Sequence, residues 1–105
     1  TPAIIAEEVA DQALKQLDEE GADTTALLVH LVVVEALTRD ADMHDQIRAK
    51  LHKALGYACR ATGQLDDAQH HLERALALND RIGVKKDLER LERERKQNAA
   101  AAPTG

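Results

Sequence analysis

Aromatic residues are almost absent from this chain of 105 residues, which has one Tyr, no Trp and no Phe. Antiparallel β-domains use aromatic side chains heavily, and nucleic-acid surfaces that work by base stacking depend on them. The scarcity therefore disfavours both classes and also an aromatic sugar-binding platform. The abundant residues are Ala, Leu, Glu, Asp, Arg and Lys, which form helices readily. We expect an all-α fold in one domain, because 105 residues are too few for two.

Cysteine and long apolar runs are also scarce. Cys59 stands alone, which excludes an internal disulfide and a Cys-based zinc site and fits a reducing, cytoplasmic compartment. The longest apolar stretch, residues 26–37, contains His30 and Glu35 and is too short to cross a bilayer. The net charge of −5 argues against general nucleic-acid affinity, so we expect neither nucleic acid nor membrane as a partner. Because the chain begins at Thr1 without Met, we expect an excised domain or a processed product.

Apolar spacing, capping residues and glycines predict five helices. Thr1 and Pro2 suit the start of a helix, and Gly21, Gly63 and Gly83 are natural stops. The predicted helices cover residues 1–20, 23–37, 42–62, 65–82 and 84–97, with Asp42 as the cap of the third. Residues 98–105 show no pattern and are predicted to be a disordered tail or linker.

The second predicted helix is the most apolar part of the chain. Its adjacent Val32, Val33 and Val34 are typical of a strand, but roughly 14–16 apolar-rich residues are too many for one strand, and no other segment offers a pairing partner. We therefore predict a helix that is apolar on nearly all sides and central in the fold. His30 within it is expected to be a core histidine.

Residues 52–80 carry the most informative pattern, in which small and large apolar residues stand at fixed offsets on two helices and the turn between them. Small side chains at Gly56 and Ala68 let the two helices approach closely, and Gly63 supplies the turn. The pattern resembles one tetratricopeptide repeat (TPR), and the matching residues are Leu55, Gly56, Gly63, Ala68, Leu72 and Ala75.

The TPR resemblance implies a right-handed stack of antiparallel helical hairpins with about five helices. The domain would cover residues 1–97, divided into a degenerate helix pair (1–41), one repeat (42–83) and a capping helix (84–97). The chain departs from the family at three positions: His52 replaces the usual aromatic residue, Cys59 the usual Tyr and Asp80 the usual Pro.

Charge is unevenly distributed among the helices. Residues 43–62 hold four basic and one acidic residue, and residues 81–98 hold seven basic and four acidic residues. In TPR proteins the first helix of each pair lines the concave face, so the resemblance implies a partly basic groove for an acidic peptide or a terminal carboxylate. The groove residues would be Lys50, Lys53, Tyr57, Arg60, Lys86 and Arg90. The alternative is that these are solvated helix faces with i, i+4 ion pairs.

Catalytic and metal-binding patterns are weak in this sequence. None of the five histidines is spaced i, i+4 from another, and neither a nucleophile motif nor a phosphate-binding glycine loop is present. We therefore expect no enzyme, metal or cofactor, and a non-catalytic protein-interaction module is the leading interpretation. One alternative is a self-association domain that forms a homo-oligomer through apolar surface of the first two helices, around Ile4, Ile5 and Val9. A ligand-binding or regulatory bundle is the third interpretation.

Overall fold

The computed structural model describes residues 1–101, and over that range the chain is all-helical, as predicted. The all-α class with five helices is thus confirmed for these residues. The helices are α1 (Pro2–Leu17), α2 (Thr24–Thr38), α3 (Asp45–Ala61), α4 (Leu65–Leu78) and α5 (Lys85–Ala101). Within the described range, no helix has the length and apolarity needed to cross a membrane.

Local sequence chemistry explains where the first two helices begin. The Thr1 hydroxyl accepts a hydrogen bond from the Ile4 amide at 3.4 Å, and Pro2 occupies the first helical turn. The Asp23 carboxylate caps α2 by accepting from the Ala26 amide at 3.0 Å. These caps supply partners for amides that have none within the helix.

Four predicted helix boundaries are wrong. Helix α1 ends at Leu17 and not at residue 20. Helix α3 begins at Asp45 after His44, not after Asp42, because Arg48 holds the backbone carbonyls that precede it in an irregular turn. Helix α4 ends at Leu78 instead of continuing to residue 82. The side-chain oxygen of Asn79 accepts a hydrogen bond from the Arg81 amide, and this contact forms a turn after the helix.

The predicted tail also begins too early. Helix α5 continues to Ala101, since residues 99–101 are alanines, which have the highest helix propensity. The rest of the predicted tail, residues 102–105, lies outside the described residues.

Helix α3 is the centre of the fold and packs against α1, α2 and α4. Small side chains along α3 allow neighbours to approach it from several sides. Its buried residues are Ala49, Leu51, His52, Ala54, Leu55, Gly56, Ala58 and Cys59. Helix α5 packs against α4 at the other end of the molecule, where Val84 and Leu91 are fully buried.

The prediction that α2 lies at the centre is wrong. Only Leu31, Val34 and Thr38 of this helix are buried, whereas Val29 is 58% and Leu37 is 78% exposed. The helices α1 and α3 both pack against α2, and these two neighbours cover one side of it only. The apolar composition of α2 predicted burial on all of its sides. Burial depends on how many helices pack against a segment, however, and α1 and α3 alone cannot surround α2.

The crossing of α3 and α4 is close because Gly56 has no side chain. A Cβ atom at this position would lie 2.5 Å from Leu72 Cδ2 and 3.3 Å from the Ala68 carbonyl oxygen. Ala68, Leu72 and Ala75 are fully buried against α3. The turn between the two helices contains Gly63, whose φ of +82° is a left-handed conformation that suits glycine.

Candidate functional site

The middle of the predicted basic groove is occupied by contacts between α3 and α5. The Tyr57 hydroxyl donates to Asp87 at 2.6 Å, and Arg60 forms an ion pair with Glu94. Burial and the Asp87 carboxylate raise the pKa of Tyr57, and the hydrogen bond from Arg60 lowers the pKa of Glu94. Acidic residues of α5 thus balance the basic residues of α3 in this groove, to which Asp18 adds a further carboxylate.

The predicted lysines of α3 also have partners within the chain. Lys50 forms an ion pair with Asp11 of α1 at 3.0 Å. Lys53 donates to the Ile82 carbonyl at 3.4 Å, and its ammonium nitrogen lies 5.7 Å from the centre of the Tyr57 ring. Lys53, Tyr57 and Arg60 therefore lie along one side of α3, whereas Lys50 contacts α1.

The predicted groove residues of α5 lie on its solvent side. Lys86 and Arg90 are exposed, and no ion pair within the described residues includes either of them. Arg93, one helical turn beyond Arg90, is likewise exposed. The structure does not bring these cations into the space between α3 and α5, because Asp87 and Glu94 face α3 instead.

A second cleft, with a volume of about 530 Å³, lies between α2, α3 and α4. Three arginines and three histidines face it together with one carboxylate. We call it the arginine–histidine cleft, and its lining residues are Glu35, Arg39, Arg48, His52, His70, His71 and Arg74. This concentration of cationic and imidazole groups contrasts with the net charge of −5 of the whole chain.

Two histidines from different helices form the floor of this cleft. The Nδ1 atoms of His52 on α3 and His71 on α4 lie 3.0 Å apart, and their rings stack with centres 5.3 Å apart. Burial, the His71 ring and the nearby Arg74 guanidinium lower the pKa of His52 to about 4. Burial and His70 lower the pKa of His71. At neutral pH both rings are therefore neutral, and one Nδ1–H donates to the other Nδ1.

The arginines of the cleft differ in how firmly they are held. Arg48 donates to the backbone carbonyls of Thr38, Arg39 and Ala41 at 3.4, 3.2 and 2.7 Å, around the C-terminus of α2, where a cation is favoured. Arg39 forms a bidentate ion pair with Glu35 at 2.7 and 3.1 Å, and this contact lowers the pKa of the carboxylate.

Two further side chains of the cleft lie at its rim. Arg74 and His70 are exposed, and no ion pair within the described part of the chain includes Arg74. The three arginines of the cleft therefore differ. Arg48 is fixed by backbone carbonyls, Arg39 is paired with Glu35, and Arg74 faces water.

Sequence reasoning did not find the histidine pair. The spacing rule compares residues on one helix, whereas His52 and His71 meet across the α3–α4 hairpin. The available signal was the histidine at position 52, where the TPR pattern has an aromatic residue against the second helix. The prediction that His30 is a core histidine is wrong, because the side of α2 that carries it is exposed.

Neither metal-ligand groups nor a reactive thiol mark a second site. Within residues 1–101, no three His, Cys, Asp or Glu side chains are arranged to hold a metal ion. Cys59 is buried, and burial raises the pKa of its thiol to about 11. A thiol of this kind stays protonated and unreactive at neutral pH.

Comparison with known proteins gives one informative similarity. The chain is 43% identical over 103 residues to the terminase endonuclease subunit of Escherichia phage P2. The match covers 97% of this chain and 40% of that protein, so the chain spans about two fifths of the length of the relative. No family model matches the chain, and no solved structure matches it.

This similarity overturns three expectations from the sequence. The similar protein is a terminase endonuclease subunit, so the interpretation as a non-catalytic interaction module, with self-association as its alternative, is wrong. The expectations of no enzyme and of no nucleic-acid partner are wrong for the same reason. The net charge of the whole chain does not describe the local grouping of arginines in the arginine–histidine cleft.

Proposed function

We propose that this chain is a helical segment of a phage terminase endonuclease subunit and that it serves the cutting of DNA for packaging. The observation that carries the proposal is the 43% identity, which extends over 97% of the chain. The endonuclease activity itself is proposed for the whole protein, of which a segment of this kind is two fifths.

The distribution of charge supports a role next to DNA. Affinity for the DNA backbone depends on local cationic groups more than on net charge, since each contact neutralises one phosphate. Three guanidinium groups around a concave surface, with one carboxylate among them, provide such a local field. An acidic chain with a cationic cleft is therefore compatible with a DNA-cutting enzyme.

The α3–α4 hairpin gives the segment a rigid frame. Gly56 and Ala68 allow the two backbones to approach, and the cleft lies along the same pair of helices. The resemblance of residues 52–80 to a TPR stays a prediction.

A chimaera tests the proposal. The matching 103 residues of the phage P2 subunit are replaced by this chain, and the purified protein is assayed for DNA cleavage beside the unmodified subunit. The chimaera is expected to cleave DNA, because this chain and the segment that it replaces would share their fold and the role of their surface.

The matched control is the same chimaera with Gly56→Leu, which disrupts the α3–α4 crossing. Cleavage by the first chimaera and loss in the control support the proposal. A well-folded chimaera that cleaves DNA no better than the control contradicts it.

A further inference from the structure

We infer that the arginine–histidine cleft binds the phosphate backbone of DNA, an inference that rests on the proposed function. The cleft is concave and lies outside the predicted groove. It collects three of the arginines of the chain around the buried imidazole of His52 and the partly buried imidazole of His71. Its volume of about 530 Å³ is large enough for either a single phosphate group or a short stretch of DNA backbone.

The arginines supply the charge that a phosphate requires. Arg48 is fixed by its three carbonyl contacts and adds a positive charge that does not depend on rearrangement. Arg39 is 66% exposed along its side chain, so a phosphate oxygen can take the place of Glu35 as its partner. Arg74 faces water at the rim, where it can reach an incoming strand.

The histidine pair adds a neutral donor. When one Nδ1–H donates to the other Nδ1, the accepting ring carries its proton on Nε2. That Nε2–H is available as a donor while both rings remain neutral. A floor of this kind binds an anion without the cost of charging a buried imidazole.

The test measures binding of the 105-residue chain to a labelled duplex by fluorescence anisotropy between about 50 and 200 mM salt, a range over which phosphate contacts lose affinity steeply. The cleft variant carries Arg39→Gln and Arg74→Gln. The control carries Arg90→Gln and Arg93→Gln on α5, which changes the net charge equally at residues that do not line the cleft. All four positions are exposed, so both variants are expected to keep their helical content by circular dichroism.

The cleft variant is expected to bind roughly tenfold more weakly, and the slope of log K against log salt is expected to fall by about 2, since each lost phosphate contact contributes about 0.9. The control is expected to bind within about twofold of the parent chain. The inference is overturned if DNA binding weakens equally in both variants or stays unchanged in the cleft variant, because the cleft then contributes no more to binding than the surface of α5.

Ring resonances of His70 and His71 distinguish the source of the phosphate. Addition of DNA is expected to shift them, and a shift with inorganic phosphate but none with DNA overturns the assignment to the DNA backbone. A parent chain that binds no duplex at low salt also overturns it. The chimaera's cleavage of DNA is scored separately, so failure of the cleft and failure of the proposed function remain distinguishable.

Discussion

Gly56 of α3 lies against Leu72 of α4 so closely that a Cβ atom on the glycine would stand 2.5 Å from Leu72 Cδ2 and 2.7 Å from Cγ. Leu72 is fully buried. This one contact sets the distance between the two helices at the centre of the molecule. It also fixes how α3 and α4 present His52 and His71 to each other across the hairpin.

Gly56→Leu is therefore expected to destabilise the chain by about 1–3 kcal/mol or more, because an added side chain must displace Leu72 or part the helices. Ala61→Leu, at an exposed position of the same helix, is the control and is expected to stay within about 0.5 kcal/mol. Urea denaturation measures both. Equal stability of the two variants would show that the crossing is not tight.

The two sides of α2 are expected to respond differently to substitution. Leu31 is fully buried, so Leu31→Ala should cost about 2–5 kcal/mol through loss of contacts and a cavity. Val33 is 48% exposed, so Val33→Ala should change the free energy of unfolding by less than about 0.5 kcal/mol. Thermal or urea unfolding compares them. Similar large losses at both positions would restore the original prediction of a central α2.

Arg48 is expected to stabilise the end of α2. Arg48→Gln removes charged hydrogen bonds to three carbonyls and should cost about 1–3 kcal/mol. Arg74→Gln, which removes the same charge at an exposed position of the same cleft, should cost less than about 0.5 kcal/mol. If Arg74→Gln proves the more damaging in chemical denaturation, the assignment of Arg48 as the structural arginine is wrong.

The histidine pair makes stability depend on pH. The pKa of His52 is lowered to about 4 in the folded chain, against 6.5 for a free histidine, so the unfolded state binds the extra proton first as pH falls. Stability is fully present above about pH 6.5 and decreases toward pH 4, by roughly 2–3 kcal/mol.

Glu35, Arg48, His71 and Arg74 surround His52 and take part in its response. His52→Gln is expected to flatten the curve of unfolding free energy against pH in this window. A curve that is equally steep in the His52 variant would exclude the pair as its origin.

Local features of the fold were predictable because they depend on neighbours in sequence. Thr1 caps the helix that it was expected to start, and Asp23, where the second helix was predicted to begin, caps α2, since a capping side chain acts on amides two or three residues ahead. The burial of α2 was not predictable in this way. It depends on how many helices surround the segment, and apolar composition does not give that number.

The site was less predictable than the fold because its contacts join different helices. Asp87 accepts a hydrogen bond from Tyr57, and Glu94 forms an ion pair with Arg60, so two carboxylates of α5 offset the basic character expected of that groove. The cations of the arginine–histidine cleft come from three helices and were not recognised as a group. The net charge of a sequence does not show where cationic side chains gather in the folded chain.

The amount of DNA packaged by phage P2 shows whether this chain can take the place of the matching segment of the terminase endonuclease subunit. A phage whose terminase endonuclease subunit carries this chain in place of its own matching segment is grown beside the same phage with Gly56→Leu in the exchanged segment, and DNA protected inside particles is measured. The account predicts protected DNA near the level of the unmodified phage from the first and little from the second. Empty particles from both, with the exchanged subunit present at normal amount, would contradict it.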